Sequence, residues 1–172
     1  MPTDTSEKGL ETIIINSLVS ESGYIQGEPR DFDREHAIDL SQLVQFVKDT
    51  QPEKFETLTL DLDTPRRTKF LHRLQGEITK RGIIDVLRLG IDDGPVHLDC
   101  FYGTPSAKNK RAQELFQKNI FSIIRQLRYS VDETRLALDC VLFINGFPVT
   151  TFELKNKFTK QTVEDAIQQY KR

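Results

Sequence analysis

Leu138-Asp139-Cys140-Val141-Leu142-Phe143-Ile144-Asn145-Gly146-Phe147-Pro148-Val149-Thr150-Thr151-Phe152-Glu153-Leu154-Lys155-Asn156 is the stretch that decides the fold. It reads as two apolar strands joined by a turn at Asn145-Gly146. Three charged groups interrupt the strands: Asp139, Glu153 and Lys155. A buried carboxylate or ammonium is costly unless it is paired or holds a metal. Glu153 and Lys155 are two apart and share a face on a strand. Two carboxylates and a lysine around Mg²⁺ and a water are the minimum set for metal-assisted phosphodiester hydrolysis.

The hairpin geometry decides whether Asp139 joins them. A plain two-residue loop at Asn145-Gly146 pairs Ile144 with Phe147, and therefore Asp139 with Phe152. Residues directly opposite share a face, so Asp139 then points away from Glu153. An odd loop or a bulge restores the match. The nuclease reading requires one of these devices. The bland reading requires neither and leaves an edge hairpin with Glu153 and Lys155 facing water.

Composition narrows the setting. The chain has 172 residues, with 24 Lys+Arg against 26 Asp+Glu and a net charge of -2. That length suits one domain with a sizeable core. No global basic field draws nucleic acid, so DNA contact must come from local patches or a partner. Cys100 and Cys140 fall in apolar runs, as expected of buried reduced thiols in a cytoplasmic protein. The start of the chain has no signal-peptide pattern, and its apolar runs are too short for a membrane span.

Helices are expected from Ser6 to about Val19, from Leu40 to Lys48, from Pro52 towards Leu60 and from Pro65 to near Gly82. Tyr24 to Asp33 reads as an irregular connection. From Ile83 the pattern turns strand-like, with strands at Ile83–Leu89 and Val96–Phe101 around a turn at Asp92-Asp93-Gly94-Pro95. Pro105-Ser106 opens a polar helix to about Lys118. Ile120–Tyr129 is strand-like, with a helix as the alternative, and Thr159–Tyr170 is a closing helix. The order fits an α/β (α+β) domain with a mixed central sheet flanked by helices. A helical part spans about 1–82 and a sheet-based core about 83–172, within a single domain over 1–172.

Other charged groups are weighed against ordinary roles. Glu11 on the first helix can reach over the sheet to a metal, or simply serve the helix entry. Lys108, Lys110, Arg111 and Lys118 make one helix face basic, as do Arg66, Arg67, Lys69 and Arg73 on another. Either face is a candidate for phosphate contact, with a solvated surface as the default. His36, His72 and His97 have no Ser or Cys partner in any recognisable motif. No phosphate-binding Gly-x-x-x-x-Gly-Lys-Ser/Thr loop occurs, so ATP is not expected to bind this chain by that device.

The segment from Arg135 to Asn156 closely resembles the nuclease motif of the R (restriction) subunit of type I restriction enzymes. Asp139, Glu153 and Lys155 match the Asp and Glu-x-Lys of the PD-(D/E)xK superfamily. Gln161 to Arg172 resembles the helix that follows in these subunits, and Gly82–Ile91 and the helix carrying Glu7 and Glu11 are looser matches. The superfamily's proline is Leu138 here. Its Gln-x-x-x-Tyr motif keeps Tyr170, but the glutamine position holds Ala166, with Gln168 and Gln169 nearby.

The resemblance implies a restriction-endonuclease-like core and an Mg²⁺-dependent endonuclease acting on double-stranded DNA, with Mn²⁺ as a substitute ion. Asp139 and Glu153 are the implied metal ligands and Lys155 the third catalytic residue. Tyr170, Glu11 and Gln168 are supporting candidates, and Lys108, Lys110 and Arg111 are candidate DNA contacts. The implied partners are the methylation and specificity subunits and the rest of the R subunit, in a bacterial or archaeal cytoplasm. ATP belongs to the family's motor domains, and the chain has the look of the nuclease region without them. The alternatives are a non-catalytic DNA-binding or subunit-docking module of the same fold, and a plain interaction domain with a charged edge hairpin.

Overall fold

The computed structural model describes residues 7–132 and 135–154. The first helix, α1 (Glu7–Glu21), leads into the two-residue strand β1 (Ile25–Gln26). Next come a single 3-10 turn, Pro29–Asp31, and the small hairpin β2 (Phe32–Asp33) and β3 (Ile38–Asp39). Three helices follow: α2 (Leu40–Thr50), α3 (Pro52–Leu58) and α4 (Pro65–Arg81). Their starts follow from local chemistry. The Asp39 carboxylate accepts from Gln42 N–H at 3.1 Å and caps α2. The Thr64 hydroxyl accepts from Arg67 N–H at 3.2 Å, and Pro65 occupies the first turn of α4, where its missing N–H is no loss.

The next element corrects the sequence reading. Ile83–Leu89 is a helix, α5, and not a strand. Gly82 and Gly90 bound it with φ of +84° and +68°. The β-branched run suggested extension, but Val86 and Leu87 are buried and Ile83 packs beside them. That is an i, i+3, i+4 stripe, which only a helix turns to one side. Arg81 adds support, with its Nη1 3.1 Å from Asp85 Oδ2 and its Nη2 donating to Gly90 O at 2.8 Å.

Strands β4 (Ile91–Asp93) and β5 (Val96–Leu98) form a separate hairpin, so Asp92 and Asp93 belong to a strand and the loop is Gly94-Pro95. Helix α6 (Lys110–Gln117) begins later than Pro105-Ser106 suggested. Asn109 is the stronger cap, its side chain accepting from Ala112 N–H at 3.0 Å.

The main sheet has the order β1-β6-β7-β8, completed by β6 (Phe121–Leu127), β7 (Leu138–Ile144) and β8 (Phe147–Phe152). β1 runs parallel to β6 and the other pairs are antiparallel, giving the mixed α/β fold. The stretch read as irregular thus supplies a strand, with Ile25 opposite Ser122. Helix α1 covers part of one face, packing Ile15 with Ile123 and Cys140. The largest core joins helices α2 to α5 with the β4–β5 hairpin and Phe147 of β8. The closing helix expected over Thr159–Tyr170 lies outside the described residues. Among the described residues, no helix is long and apolar enough to cross a membrane.

The β7–β8 turn is buried in this core. Asn145 is fully buried, and both Asn145 and Gly146 have positive φ, 52° and 87°. These values suit the tight two-residue turn whose twist matches the strands. The turn seats on the start of α2, where Gly146 O accepts from Asp39 N–H at 2.8 Å. A Cβ at residue 146 would stand 2.4 Å from Asp39 O and 2.8 Å from Leu43 N.

Candidate active site

Strand register brings the motif together. The loop is the plain two-residue form, pairing Ile144 with Phe147. Phe143 then pairs with Pro148, but Leu142 pairs with Thr150, so Val149 is an extra residue in β8. The bulge shifts all later pairs by one, giving Cys140 opposite Phe152. Continued one residue further, that register sets Asp139 opposite Glu153. Proline suits this point, because a bulged edge strand does not need its N–H. The Leu154 N–H donates to Asp139 Oδ2 at 2.7 Å, fixing the end of β8 against β7.

The neighbouring strand is also irregular here. Gln126, opposite Asp139 on β6, has φ of +49°. Leu127 and Leu138 pack with Ile124, Val141 and Phe143, although strict alternation would send them to the other face. The strands therefore change face at Gln126 and Asp139. The same twist lets consecutive residues reach one acid on α1, since neighbours on a regular strand point apart. Arg125 Nε lies 2.6 Å from Glu11 Oε1, and Gln126 Nε2 donates to Glu11 Oε2 at 3.2 Å. The same Gln126 amide is 3.3 Å from Asp139 Oδ1.

Glu11 is buried because it lies one helical turn before Ile15 on the inward stripe of α1. With Glu7, Lys8, Arg125, Gln126, Asp139 and Leu154 it lines a cleft of about 340 Å³. The Cys140 thiol beneath records the local charge. Burial first, then the negative charges of Glu11 and Asp139, push its pKa up to about 11, with Arg125 opposing them and Glu153 adding to the rise. The negative charge of three carboxylates is therefore felt at one buried sulfur.

Donor chemistry fits a hard divalent cation, which takes oxygen ligands. Geometry is less closed: among the described residues, Glu11, Asp139 and Glu153 do not form a set within 4.8 Å, whereas Glu35, His36 and His72 do. The Gln126 amide stands between Glu11 and Asp139 and holds both. Lys155, Gln168 and Tyr170 lie outside the described residues.

Lys108, Lys110 and Arg111 are exposed, and none lines this cleft. Arg111 instead borders a separate hollow of about 400 Å³ with Lys54, Asp99 and Tyr102. On α4, Arg66 pairs with Asp93 and Arg67 pairs with Asp63 at 2.6 Å. Arg73 donates to Asp92 O at 2.6 Å, so much of that basic face is already engaged.

Sequence reasoning missed Arg125 and Gln126. The signal was a charged and polar pair inside the apolar strand Phe121–Leu127, at the position that faces Asp139. No curated protein and no solved structure matches the chain. A family model described as the type I restriction enzyme R protein N terminus matches residues 4–172, and the chain belongs to that family.

Proposed function

We propose that this domain is the Mg²⁺-dependent endonuclease of a type I restriction enzyme R subunit, hydrolysing phosphodiester bonds of double-stranded DNA. The observation that carries the proposal is the Val149 bulge, which sets Asp139 opposite Glu153. Asp139 and Glu153 would hold the ion, with the Leu154 backbone anchoring Asp139 in place. Mg²⁺ supplies polarisation of the phosphoryl oxygen and a water of lowered pKa. Lys155, two residues after Glu153, orients or deprotonates that water or stabilises developing charge on the phosphorane. Glu11 and Gln126 line the cleft, and Gln126 donates to both Glu11 and Asp139, so it would position the Asp139 carboxylate beside a bound ion.

In the whole enzyme, methylation and specificity subunits select the DNA site, and ATP-driven motor domains of the R subunit deliver DNA to this cytoplasmic nuclease. One observation favours the non-catalytic docking alternative: Glu11 is neutralised by Arg125, and Asp139 already has two hydrogen-bond donors. Cleavage by the reconstituted enzyme separates the readings. Asp139→Ala and Glu153→Ala should each lower cutting by at least roughly 10²–10³ with ATP hydrolysis retained. Wild-type cutting by either variant rejects the nuclease assignment.

A further inference from the structure

We propose that Glu35, His36 and His72 bind a divalent transition-metal ion of the zinc type, fastening the β2–β3 loop to α4. One ligand atom from each residue lies within 4.8 Å of the other two. Imidazole and carboxylate together suit Zn²⁺, Co²⁺ or Ni²⁺ and disfavour Mg²⁺, so this site differs in chemistry from the nuclease cleft.

His36 gives the strongest indication. Its ring is 6 % exposed, and its Nδ1 lies 2.8 Å from Asp33 Oδ2. The Asp33 carboxylate therefore accepts a hydrogen bond from Nδ1–H, a tautomer that leaves Nε2 with its lone pair. That Nε2 is buried and has no hydrogen-bond partner. A buried acceptor without a partner is costly, and a metal removes that cost. A carboxylate behind the distal ring nitrogen is the usual way a metal-bound imidazole is oriented.

The surroundings hold the other two ligands within reach. Asp33 Oδ1 accepts from Glu35 N–H at 2.9 Å and from His36 N–H at 3.2 Å, which folds the loop tightly. Glu35 O accepts from Gln75 Nε2 at 3.0 Å, tying the loop to α4. Gln75 and His72 are three apart and share a helix face. The His36 and His72 rings meet edge to face with centroids 4.9 Å apart. Tetrahedral ligands around zinc sit about 3.4 Å from one another. The side chains of Glu35 and His72 are exposed, so they close that gap by rotation while His36 stays fixed.

The test uses tag-free chain stripped with a chelator and titrated calorimetrically with ZnCl₂, with Co²⁺ absorption as a second readout. The expected result is one equivalent bound, a tetrahedral Co²⁺ spectrum and a melting temperature raised by Zn²⁺ but not by Mg²⁺. His72→Ala removes an exposed ligand without opening the core and should weaken binding at least tenfold and abolish the thermal shift. Asp33→Asn should weaken it about 10–100-fold. His97→Ala should change nothing, since His97 lies with Asp92 and Asp99 instead. No binding at about 1 mM Zn²⁺, unchanged binding by His72→Ala, or its loss in His97→Ala would overturn the proposal.

Discussion

Asn145 and Ile120 exchange two hydrogen bonds, one through backbone and one through a side chain. Ile120 N–H donates to Asn145 Oδ1 at 2.7 Å, and Asn145 N–H donates to Ile120 O at 2.8 Å. The remaining Asn145 amide protons reach Cys100 O at 2.9 Å and Asn119 Oδ1 at 3.0 Å. One turn residue thus joins β6, β7 and the segment after β5 inside the core. Asn145→Ala strands these buried partners and also loses a residue tolerant of positive φ. The expected loss is about 3 kcal/mol by urea unfolding, since each orphaned buried group costs about 1–3 kcal/mol. A loss below about 1 kcal/mol would show that the network is not structural.

Gly146 has no such latitude. A methyl group there meets backbone atoms of Asp39 and Leu43, and φ is +87°. Gly146→Ala should destabilise by more than about 3 kcal/mol, because backbone strain and overpacking add. Thermal unfolding that shifts by only a degree or two would contradict this seating.

Asp39 imposes a pH dependence. Burial raises its carboxyl pKa to about 6, the negative charge of Asp31 adds to this, and hydrogen bonds from Gln42 oppose it. Between about pH 4 and pH 6 the folded chain keeps a proton that the unfolded chain releases. Stability from this group is therefore full below about pH 4 and lost as pH rises through 6. The slope approaches about 1.4 kcal/mol per pH unit within the window. Asp39→Asn should flatten it. The variant should be at least as stable as wild type at pH 7, because Asn also caps a helix. Gln42 can flip to meet it, since the Ser122 hydroxyl that now donates to Gln42 can also accept. Denaturation curves at three pH values check the slope.

The Arg125–Glu11 pair should be asymmetric. Arg125→Met leaves the Glu11 carboxylate buried with its main counter-charge gone. A one-third exposed arginine reduces the usual penalty for breaking a buried pair, and about 2 kcal/mol is expected. The double variant Glu11→Gln/Arg125→Met should recover most of it. Additive losses in the cycle would indicate that the two do not interact.

Deleting Val149 should abolish cleavage by the reconstituted enzyme while DNA translocation persists. The deletion removes the bulge and returns β8 to plain alternation, moving Glu153 off the position opposite Asp139. Substituting Val149 by Ala keeps the residue count and should keep cutting within about tenfold. Full activity after deletion would detach function from register.

Much of this arrangement was legible in the sequence. Asn145-Gly146 announces its turn because few residues accept two successive positive φ values. The need for an odd loop or a bulge followed from counting residues between Asp139 and Glu153; which of the two the chain uses, and where, did not. Val149 is no different in kind from its neighbours, and the extra residue is accommodated with Val149 packed against the main core. The Ile83–Leu89 run misled because β-branched composition competed with a helical stripe, and α4 and the core decided the outcome. Gln126 was invisible for a related reason: its left-handed backbone depends on the strands turning face, not on its side chain.

The single unpaired residue in β8 means that an odd or even change in that strand's length decides which face Glu153 takes. Adding one residue between Gly146 and Glu153 would place Phe152 across from Asp139, and removing one would place Leu154 there. Adding or removing two would place Thr151 or Lys155 there, with Glu153 on the face of Asp139 again but two positions along the strand. Length variation along this strand therefore sets facing modulo two: a change of one residue turns Glu153 away from Asp139, while a change of two returns it to the same face and offsets it along the strand.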